Sequence, residues 1–335
     1  MNHELRRSPM KLLVTGGAGF IGSNFIQHMY GAHPDLEIIN YDLLTYAGNL
    51  NNLKGIDKRP RYTFIKGDIC DKNLVNATLK KFPVDAIVHF AAESHVDRSI
   101  TDPSAFVKTN VLGTHTLLEA ARKHSGPKFI HISTDETYGS IMKGSFRETD
   151  ILSPSSPYSA SKAGSDLLAL SYFTTYHLPV IVTRCTNNFG PYQFPEKIIP
   201  LFITNLLEGK KVPVYGTGKN IRDWIHVNDH CRAVEFLLEN GVPGEMYNIC
   251  GDNEKTNLEI THKILELLGK DTSTIEYVTD RPGHDYRYSL DCSKLRQMGW
   301  KPRYSFDDAL EETVAWYRQN AWWWQPLKKK NPVKC

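Results

Sequence analysis

The sequence has 335 residues, of which 41% are apolar and 23% charged, and its 40 lysines and arginines nearly balance 37 aspartates and glutamates. This composition is ordinary for a globular protein and excludes a disordered or fibrous chain. The formal net charge of +3 lacks the basic excess typical of nucleic-acid binding, so nucleic acid is not an expected partner.

Membrane insertion and export are not expected either. The sequence has no run of 18 apolar residues, and residues 1–9 lack the apolar core of a signal peptide. The six cysteines form no C-x-x-C pair, which favours reduced thiols. The sequence therefore predicts a cytoplasmic protein without a membrane partner.

The first half of the chain alternates short β-branched runs with helix-length stretches. The predicted strands are residues 12–15, 37–41, 63–66, 86–90, 129–133 and 180–184. This alternation predicts an α/β fold with a Rossmann-like, doubly wound parallel sheet. Since the length suggests two domains, we expect a main domain in 10–185 to which later segments such as 225–250 return, a smaller α/β substrate lobe mainly in 186–325, and tails at 1–9 and 326–335.

A glycine-rich loop follows the first strand. It fits G-x-G-x-x-G at Gly17, Gly19 and Gly22, and also G-x-x-G-x-x-G at Gly16, Gly19 and Gly22. Glycines let the backbone turn tightly and approach a pyrophosphate, whose charge then lies at the N-terminus of the next helix. Glycine-rich turns are common, so the loop alone is weak evidence.

The second strand ends at an acid, which strengthens this interpretation. Asp42 lies 20 residues after Gly22, where a carboxylate can bind a ribose diol. The next residues, Leu43 and Leu44, supply no cation for a 2′-phosphate. The main domain is therefore predicted to bind NAD rather than NADP.

Two neighbouring carboxylates follow the fifth strand, where Asp135 and Glu136 come directly after Thr134. Ligands bind beyond the carboxyl ends of the strands in an open parallel sheet. Each carboxylate raises the pKa of the other, which suits one of them to donate a proton. The alternative is a solvated loop with a helix-capping aspartate.

Tyr158 and Lys162 are four residues apart, on one face of a helix if this segment is helical. A phenol with a reference pKa of about 10 can act as a base near neutral pH only if a cation lowers its pKa. We expect Lys162 to do so. The alternative is a surface Tyr–Lys pair.

A later helix is predicted from Ser305 to about Asn320. Ser305 and Asp308 form a capping start, and apolar residues recur at helical spacing behind them. Three tryptophans, 322–324, follow this helix, and we expect them to pack its end onto the smaller lobe, with an assembly contact as the alternative.

Together these motifs resemble the extended short-chain dehydrogenases/reductases, and within them closely the dTDP-glucose 4,6-dehydratase family. The resemblance spans about residues 10 to 325. Related 4-epimerases share the tyrosine and lysine but typically lack the Asp-Glu pair, and GDP-mannose dehydratases usually carry a hydroxyl residue in place of Asp135. The motifs are residues 15–22, 44–49, 67–69, 91–99, 133–136, 158–162, 187–192, 194–197, 221–224 and 280–285.

The resemblance implies that dTDP-glucose is oxidised at C4, loses water across C5 and C6, and is reduced at C6 with enzyme-held NAD, giving dTDP-4-keto-6-deoxyglucose. Tyr158 would take the C4 hydroxyl proton with help from Thr134 and Lys162. Glu136 would remove the C5 proton while Asp135 protonates the departing C6 hydroxyl.

The resemblance also implies two sets of binding residues. The cofactor set is Gly16, Gly19, Phe20, Ile21, Gly22, Asp42, Thr45, Asp68, Ile69, Ala91, Ala92, Thr109, Tyr158, Lys162 and Asn188. The substrate set is Ser94, Thr134, Asn187, Lys197, Arg222, Asn257, Arg281 and His284. Three of its members, Lys197, Arg222 and Arg281, make physical sense as a diphosphate clamp. Leu43 departs from the family, which often has lysine there.

A homodimer formed by helices, including the one with Tyr158, is implied as well. We predict no catalytic metal, because the histidines considered show no ligand spacing with a supporting acid. Two alternatives remain: the same chemistry on UDP-glucose or another nucleotide sugar, and a non-enzymatic NAD(H)-binding sensor.

Overall fold

The computed structural model describes residues 10–280 and 282–330, so the candidate Arg281 lies outside the described residues. The strands are β1 Lys11–Thr15, β2 Glu37–Asp42, β3 Tyr62–Lys66, β4 Ala86–His89, β5 Lys128–Thr134, β6 Val180–Cys185, β7 Asn187–Phe189, β8 Val212–Tyr215, β9 Ile221–His226, β10 Met246–Ile249, β11 Glu254–Thr256 and β12 Ile275–Val278.

The helices alternate with these strands along the chain. They are α1 Phe20–Ala32, α2 Lys72–Lys81, α3 Val96–Thr101, α4 Pro103–Phe106, α5 Thr114–Lys123, α6 Pro157–Tyr176, α7 Ile198–Leu207, α8 Val227–Asn240, α9 Asn257–Leu268, α10 Ser293–Gln297, α11 Phe306–Gln319 and α12 Ala321–Lys330. A π-helical segment, Val107–Gly113, joins α4 to α5.

Seven parallel strands form the main sheet in the order β10-β6-β5-β4-β1-β2-β3. The six predicted strands are present to within one residue at each end, and the predicted Rossmann-like α/β fold is confirmed. Strands covered on both faces are apolar nearly throughout. Strand β6 is covered on both faces, since all six of its residues are buried.

Alternating side chains divide the core of the main domain between the two faces of the sheet. Leu12 packs on one face with Phe25 of α1 and Val234 of α8. Leu13 packs on the opposite face with Leu117 of α5 and Ala169 of α6. The helices α1 and α6, which carry the sequence motifs, are therefore each held against the sheet by a buried apolar face.

The smaller lobe combines a three-stranded sheet, β11-β9-β7, with the two-stranded sheet β12-β8. Its apolar core is closed by α7, α9 and α11. The Ser305 hydroxyl caps α11 by accepting from the Asp308 amide. The helix ends at Gln319, with Asn320 as its C-cap, as predicted.

Two of the three tryptophans pack as expected, whereas Trp322 is 50% exposed. Trp323 and Trp324 are buried, and the Trp323 indole donates to the Asn52 side chain in the main domain at 2.7 Å. However, α12 continues to residue 330, so the tail predicted from 326 is wrong over 326–330. Lys328 holds this end by bonding the Asn205 and Glu208 side chains.

No helix within residues 10–280 or 282–330 is long and apolar enough to cross a membrane.

The structure joins Cys250 and Cys292 in a disulfide, so the prediction of reduced thiols is wrong for this pair.

Four buried histidines, His89, His131, His226 and His230, make the fold sensitive to acid, and burial lowers the pKa of each. Burial lowers the pKa of His131, His226 and His230 to about 4 each. Because these folded-state values lie below the unfolded value of about 6.5, the unfolded chain takes up more protons below that pH, and stability falls as pH drops towards 4. We expect the free energy of unfolding to decrease by about 2 kcal/mol per histidine between pH 7.5 and pH 5.

Urea denaturation at several pH values between 7.5 and 5 checks this prediction. His230→Gln removes one titrating ring and should reduce the decrease by about 2 kcal/mol, whereas exposed His262→Gln should leave it unchanged. A free energy of unfolding that stays constant or rises over this interval would contradict the prediction.

Candidate active site

The carboxyl end of β5 forms the centre of the site. Thr134 is the last residue of this strand and caps the 3₁₀ turn Asp135–Tyr138, since its hydroxyl accepts from the Glu136 amide at 3.2 Å. The same hydroxyl donates to Asp135 Oδ1 at 3.1 Å. The turn thereby places both carboxylates at the edge where ligands bind in parallel sheets.

The environments of the two carboxylates differ. Asp135 is 2% exposed, whereas Glu136 is only partly buried. Burial, and next the charge of Glu136, raise the pKa of Asp135 well above its usual value. Oδ2 of Asp135 is buried and has no hydrogen-bond partner among the described residues. A protonated, unpartnered carboxyl of this kind is suited to donate a proton.

Helix α6 brings Tyr158 and Lys162 to these carboxylates. Its N-terminus is fixed by a capping box between Ser156 and Ser159. The Lys162 ammonium donates to the Ile132 carbonyl of β5 at 2.7 Å, which holds the helix against the strand. The Tyr158 phenol lies close enough to Thr134, Asp135 and Glu136 for all three to act on its pKa, so the tyrosine, the threonine and the carboxylates share one site.

The pKa of Tyr158 is raised overall, contrary to the expected lowering. Burial, followed by the charges of Glu136, Cys185 and Asp135, raises the pKa of the phenol well above its usual value, and the hydrogen bond with Thr134 opposes this. Burial also lowers the pKa of Lys162 to about 8. The Lys162 ammonium donates to a backbone carbonyl of β5. Near the phenol, the negative charges of Glu136 and Asp135 raise the pKa of Tyr158.

Sequence analysis missed a buried ion pair beneath the site. Asp166, fully buried on α6, accepts from Arg184 Nε at 2.9 Å and lies 3.3 Å from His131 Nε2. The Arg184 guanidinium in turn lies 4.7 Å above the Tyr138 ring. Asp166 raises the pKa of Lys162 against the effect of burial. Its position four residues after Lys162 was the available signal.

The glycine loop has the shape that a pyrophosphate requires. Gly16 has φ +70°, and a Cβ there would lie 2.5 Å from the Ala91 amide nitrogen. A Cβ on Gly22 would lie 2.3 Å from the Gly16 carbonyl oxygen. The described first turn of α1, which begins after Gly19, has no side-chain cap and no acid, so its N–H groups suit an anion.

Asp42 ends β2 beside this loop. Its Oδ2 accepts from the Ala18 amide at 2.9 Å, and its Oδ1 accepts from the Leu44 amide at 2.7 Å. Burial raises its pKa, and the two amides oppose that rise. The carboxylate is thus held at the sheet edge, as a ribose-binding acid should be.

The remaining cofactor candidates lie at or near the same edge. Phe20 and Ile21 open α1, and the side-chain carbonyl oxygen of Asn188 accepts from His230 Nδ1 at 2.9 Å. The others follow β2, β3 or β4, or lie in the π-helical segment: Thr45, Asp68, Ile69, Ala91, Ala92 and Thr109.

Two substrate candidates are in contact: the Lys197 ammonium donates to the Ser94 carbonyl at 3.0 Å. Arg222 is 5% exposed, and its guanidinium donates to the Asp285 carbonyl at 2.9 Å and stacks 4.1 Å from the Tyr288 ring. Lys197 and Arg222 are thus held by different segments.

The other described substrate candidates lie in three separate segments of the chain. Asn187 Oδ1, in β7, is buried without a hydrogen-bond partner among the described residues. Asn257 opens α9, and the His284 ring bonds Asp280 at 2.6 Å. Because Arg281 lies outside the described residues, the diphosphate clamp of Lys197, Arg222 and Arg281 stays a prediction.

Glu196 is a further residue that sequence analysis missed. Its side chain is 3% exposed and accepts from Tyr46 at 2.8 Å and from Arg98 at 3.2 Å. It thereby connects the loop after β2, helix α3 and the segment before α7. Its position in the motif 194–197 was the signal that could have identified it.

Comparisons with known proteins agree with this geometry. The family model described as GDP-mannose 4,6 dehydratase matches residues 13–313. A dTDP-glucose 4,6-dehydratase of Streptomyces niveus is 53% identical, over 95% of this chain and 96% of the relative. One of Salmonella typhimurium is 49% identical, over 95% of this chain and 96% of the relative.

Solved structures are also similar. The dTDP-glucose 4,6-dehydratase DesIV of Streptomyces venezuelae, solved with NAD and TYD bound, has a TM-score of 0.93 and 55% identity, covering 95% of this chain and 100% of that chain. A UDP-glucose 4-epimerase of Thermus thermophilus, solved with NAD, has a TM-score of 0.86 and 31% identity, covering 92% of this chain and 99% of that chain.

Proposed function

The chain belongs to the GDP-mannose 4,6-dehydratase family, and we propose on that premise that it acts on dTDP-glucose. It is an NAD-dependent hydro-lyase that converts dTDP-glucose to dTDP-4-keto-6-deoxyglucose and water. The observation that carries this proposal is the buried Asp135 beside Glu136, both next to Tyr158. An oxidation alone would need the tyrosine but not two carboxylates.

We assign C4 deprotonation to Tyr158. The C4 hydroxyl would lie against the phenol oxygen, with the Thr134 hydroxyl bonding the same substrate oxygen. NAD⁺ bound along the glycine loop and Asp42 would accept the C4 hydride and return it to C6. Because burial and the neighbouring carboxylates raise the pKa of the phenol, proton transfer to it needs a favourable charge, which Lys162, one turn further along α6, would supply.

We assign the elimination to the two carboxylates. A ketone at C4 acidifies the C5 hydrogen, so oxidation has to come first. The partly buried Glu136 removes the C5 proton, and the buried, protonated Asp135 gives its proton to the departing C6 hydroxyl through Oδ2. Glu136 exchanges this proton with solvent and then gives a proton to C5 as the hydride is returned to C6. The proton taken up by Tyr158 balances the one lost from Asp135, and redox change over the cycle is zero.

We propose that the main domain binds NAD and that the smaller lobe binds the nucleotide diphosphate. Arginine binds diphosphate oxygens through paired donors. Arg222 is well placed for this role, because its guanidinium is already oriented by backbone carbonyls and the Tyr288 ring.

The function is tested by incubating purified protein with dTDP-glucose or UDP-glucose without added NAD, and recording the alkaline absorbance of a 4-keto-6-deoxy sugar. Turnover of dTDP-glucose, with NAD retained by the protein, is the expected result. Preferential turnover of UDP-glucose would replace the substrate assignment. An absence of turnover with both, while NAD(H) still binds, would favour a sensor.

Arg222→Ala should raise KM for dTDP-glucose by about 10²-fold, the effect of losing about 2–3 kcal/mol of charge-assisted hydrogen bonding. NAD retention should be unchanged, because Arg222 lies in the smaller lobe. Initial-rate kinetics check this, with exposed Arg318→Ala as the matched control. An unchanged KM would contradict the diphosphate role.

We further propose a homodimer formed through α6 and the adjoining π-helical segment. Leu167 on α6 and Val107 and Leu112 on that segment are 61%, 55% and 50% exposed, respectively. Apolar side chains exposed on adjacent elements are typical of an interface. Light scattering should give the mass of two chains for the wild type and of one chain for Leu167→Glu. A wild type with the mass of a single chain would contradict the proposal.

We also propose a cytoplasmic location. The substrate and NAD are both anionic and do not cross a membrane unaided. Cell fractionation should recover the activity with cytoplasmic markers; recovery with membranes would contradict this location.

A further inference from the structure

A cluster of histidines and glutamates lies far from the active site, between α1 and α8. His33 follows the last residue of α1, and Glu235 and Glu239 are four residues apart on α8, hence on one face of that helix. One possible ligand atom from each of these three residues lies within 4.8 Å of the others. The glycine loop is at the opposite end of α1, about 20 Å away for a helix of this length.

We propose that this cluster is a binding site for a divalent transition metal, with Zn²⁺ as the best match. An imidazole with two carboxylates is a zinc-type donor set, whereas Mg²⁺ and Ca²⁺ prefer oxygen ligands alone. His33, Glu235 and Glu239 would supply three ligands, and water would supply the fourth.

The contacts around Glu235 support this assignment. Its Oε1 lies 2.7 Å from His33 Nε2, and its Oε2 lies 2.6 Å from His28 Nε2. One oxygen therefore faces the proposed ligand His33, while a second histidine holds the other oxygen. Hydrogen bonds of this kind orient ligating carboxylates and are characteristic of metal sites.

Space and access also fit a metal. The cluster borders a cavity of about 350 Å³ that Met29, Leu36 and Leu238 also line. The His33 side chain is 41% exposed, and Glu239 is exposed with no hydrogen bond or ion pair within the described residues. Tetrahedral coordination needs about 3.3 Å between two ligand atoms, so His33 Nε2 and Glu235 Oε1, 2.7 Å apart, have to separate by roughly 0.6 Å, and ligand atoms nearer to 4.8 Å apart have to approach. A partly exposed histidine that follows the end of a helix can make that movement.

The expected effect is structural rather than catalytic. A metal held by His33 and α8 would fasten the far end of α1, and binding to the folded chain alone raises its stability. Sequence analysis did not find this site, because its ligands are about 200 residues apart along the chain.

Calorimetric titration of the NAD-loaded protein with Zn²⁺ tests the proposal. One equivalent should bind with a micromolar dissociation constant and raise the melting temperature by a few degrees. Glu239→Gln should weaken binding at least tenfold and His33→Gln should abolish it, whereas His262→Gln, an exposed histidine on α9, should change neither. Because Glu239 makes no other described contact, Glu239→Gln should fold normally.

A second readout separates this site from the free thiols. Co²⁺ bound here should give weak visible absorption without the intense near-ultraviolet band of a thiolate ligand. The proposal is overturned if Zn²⁺ does not bind, if binding is unaffected by His33→Gln and Glu239→Gln, or if Co²⁺ shows thiolate coordination.

Discussion

Tyr158→Phe is expected to lower kcat by about 10²–10⁴-fold, the usual contribution of a positioned acid or base. The substitution removes only the phenol oxygen, and the ring still packs against Phe106 at a centroid distance of 6.2 Å. Without a base at C4, oxidation does not start. Single-turnover absorbance should therefore show no reduced nicotinamide when dTDP-glucose is added.

The matched control is Tyr176→Phe, in the last turn of the same helix. Tyr176 is 49% exposed and is not part of the described site. Its substitution should leave kcat within about twofold of the wild type. If Tyr158→Phe kept wild-type kcat, or formed reduced nicotinamide at the wild-type rate, another group would have to be the base at C4.

Glu136→Gln and Asp135→Asn should each lower the overall kcat by a similar factor, about 10²–10⁴, but they should block a later step. Oxidation at C4 needs neither carboxylate, so both variants should form reduced nicotinamide in a single turnover. Without the C5 base or the C6 acid, elimination is slow, and the reduced nicotinamide should persist. Stopped-flow absorbance, with quenched product analysis, measures both steps.

Glu311→Gln, an exposed carboxylate on α11, serves as the control and should behave like the wild type. The contrast with Tyr158→Phe is diagnostic, because one substitution prevents the absorbance change and the others prolong it. If Glu136→Gln and Asp135→Asn also prevented it, the carboxylates would act in oxidation, and their assignment to the elimination would be wrong.

Local sequence patterns predicted the elements that place this site. The β-branched run before Thr134 indicated β5, and its position before the Asp-Glu pair put both carboxylates at the ligand-binding edge. The four-residue spacing of Tyr158 and Lys162 predicted their shared helix face. These predictions worked because each depends on neighbours in the sequence.

The features that were missed depend on contacts between distant segments. The raised pKa of Tyr158 arises because α6 packs close enough to β5 for Glu136 and Asp135 to act on the phenol. The Asp166–Arg184 pair joins α6 to β6 in the same way. Likewise, the Cys250–Cys292 disulfide closes 42 residues of sequence that contain no spacing motif. Residue patterns along one element carry no information on such distances.

The central claim is that oxidation at C4 makes elimination across C5 and C6 possible, with Glu136 exchanging the C5 proton. The most direct test is turnover of dTDP-glucose in deuterium oxide, with the product analysed by proton NMR and mass spectrometry. We predict one solvent deuterium at C5 in every product molecule. A product formed in deuterium oxide that carries no deuterium at C5 would contradict the claim.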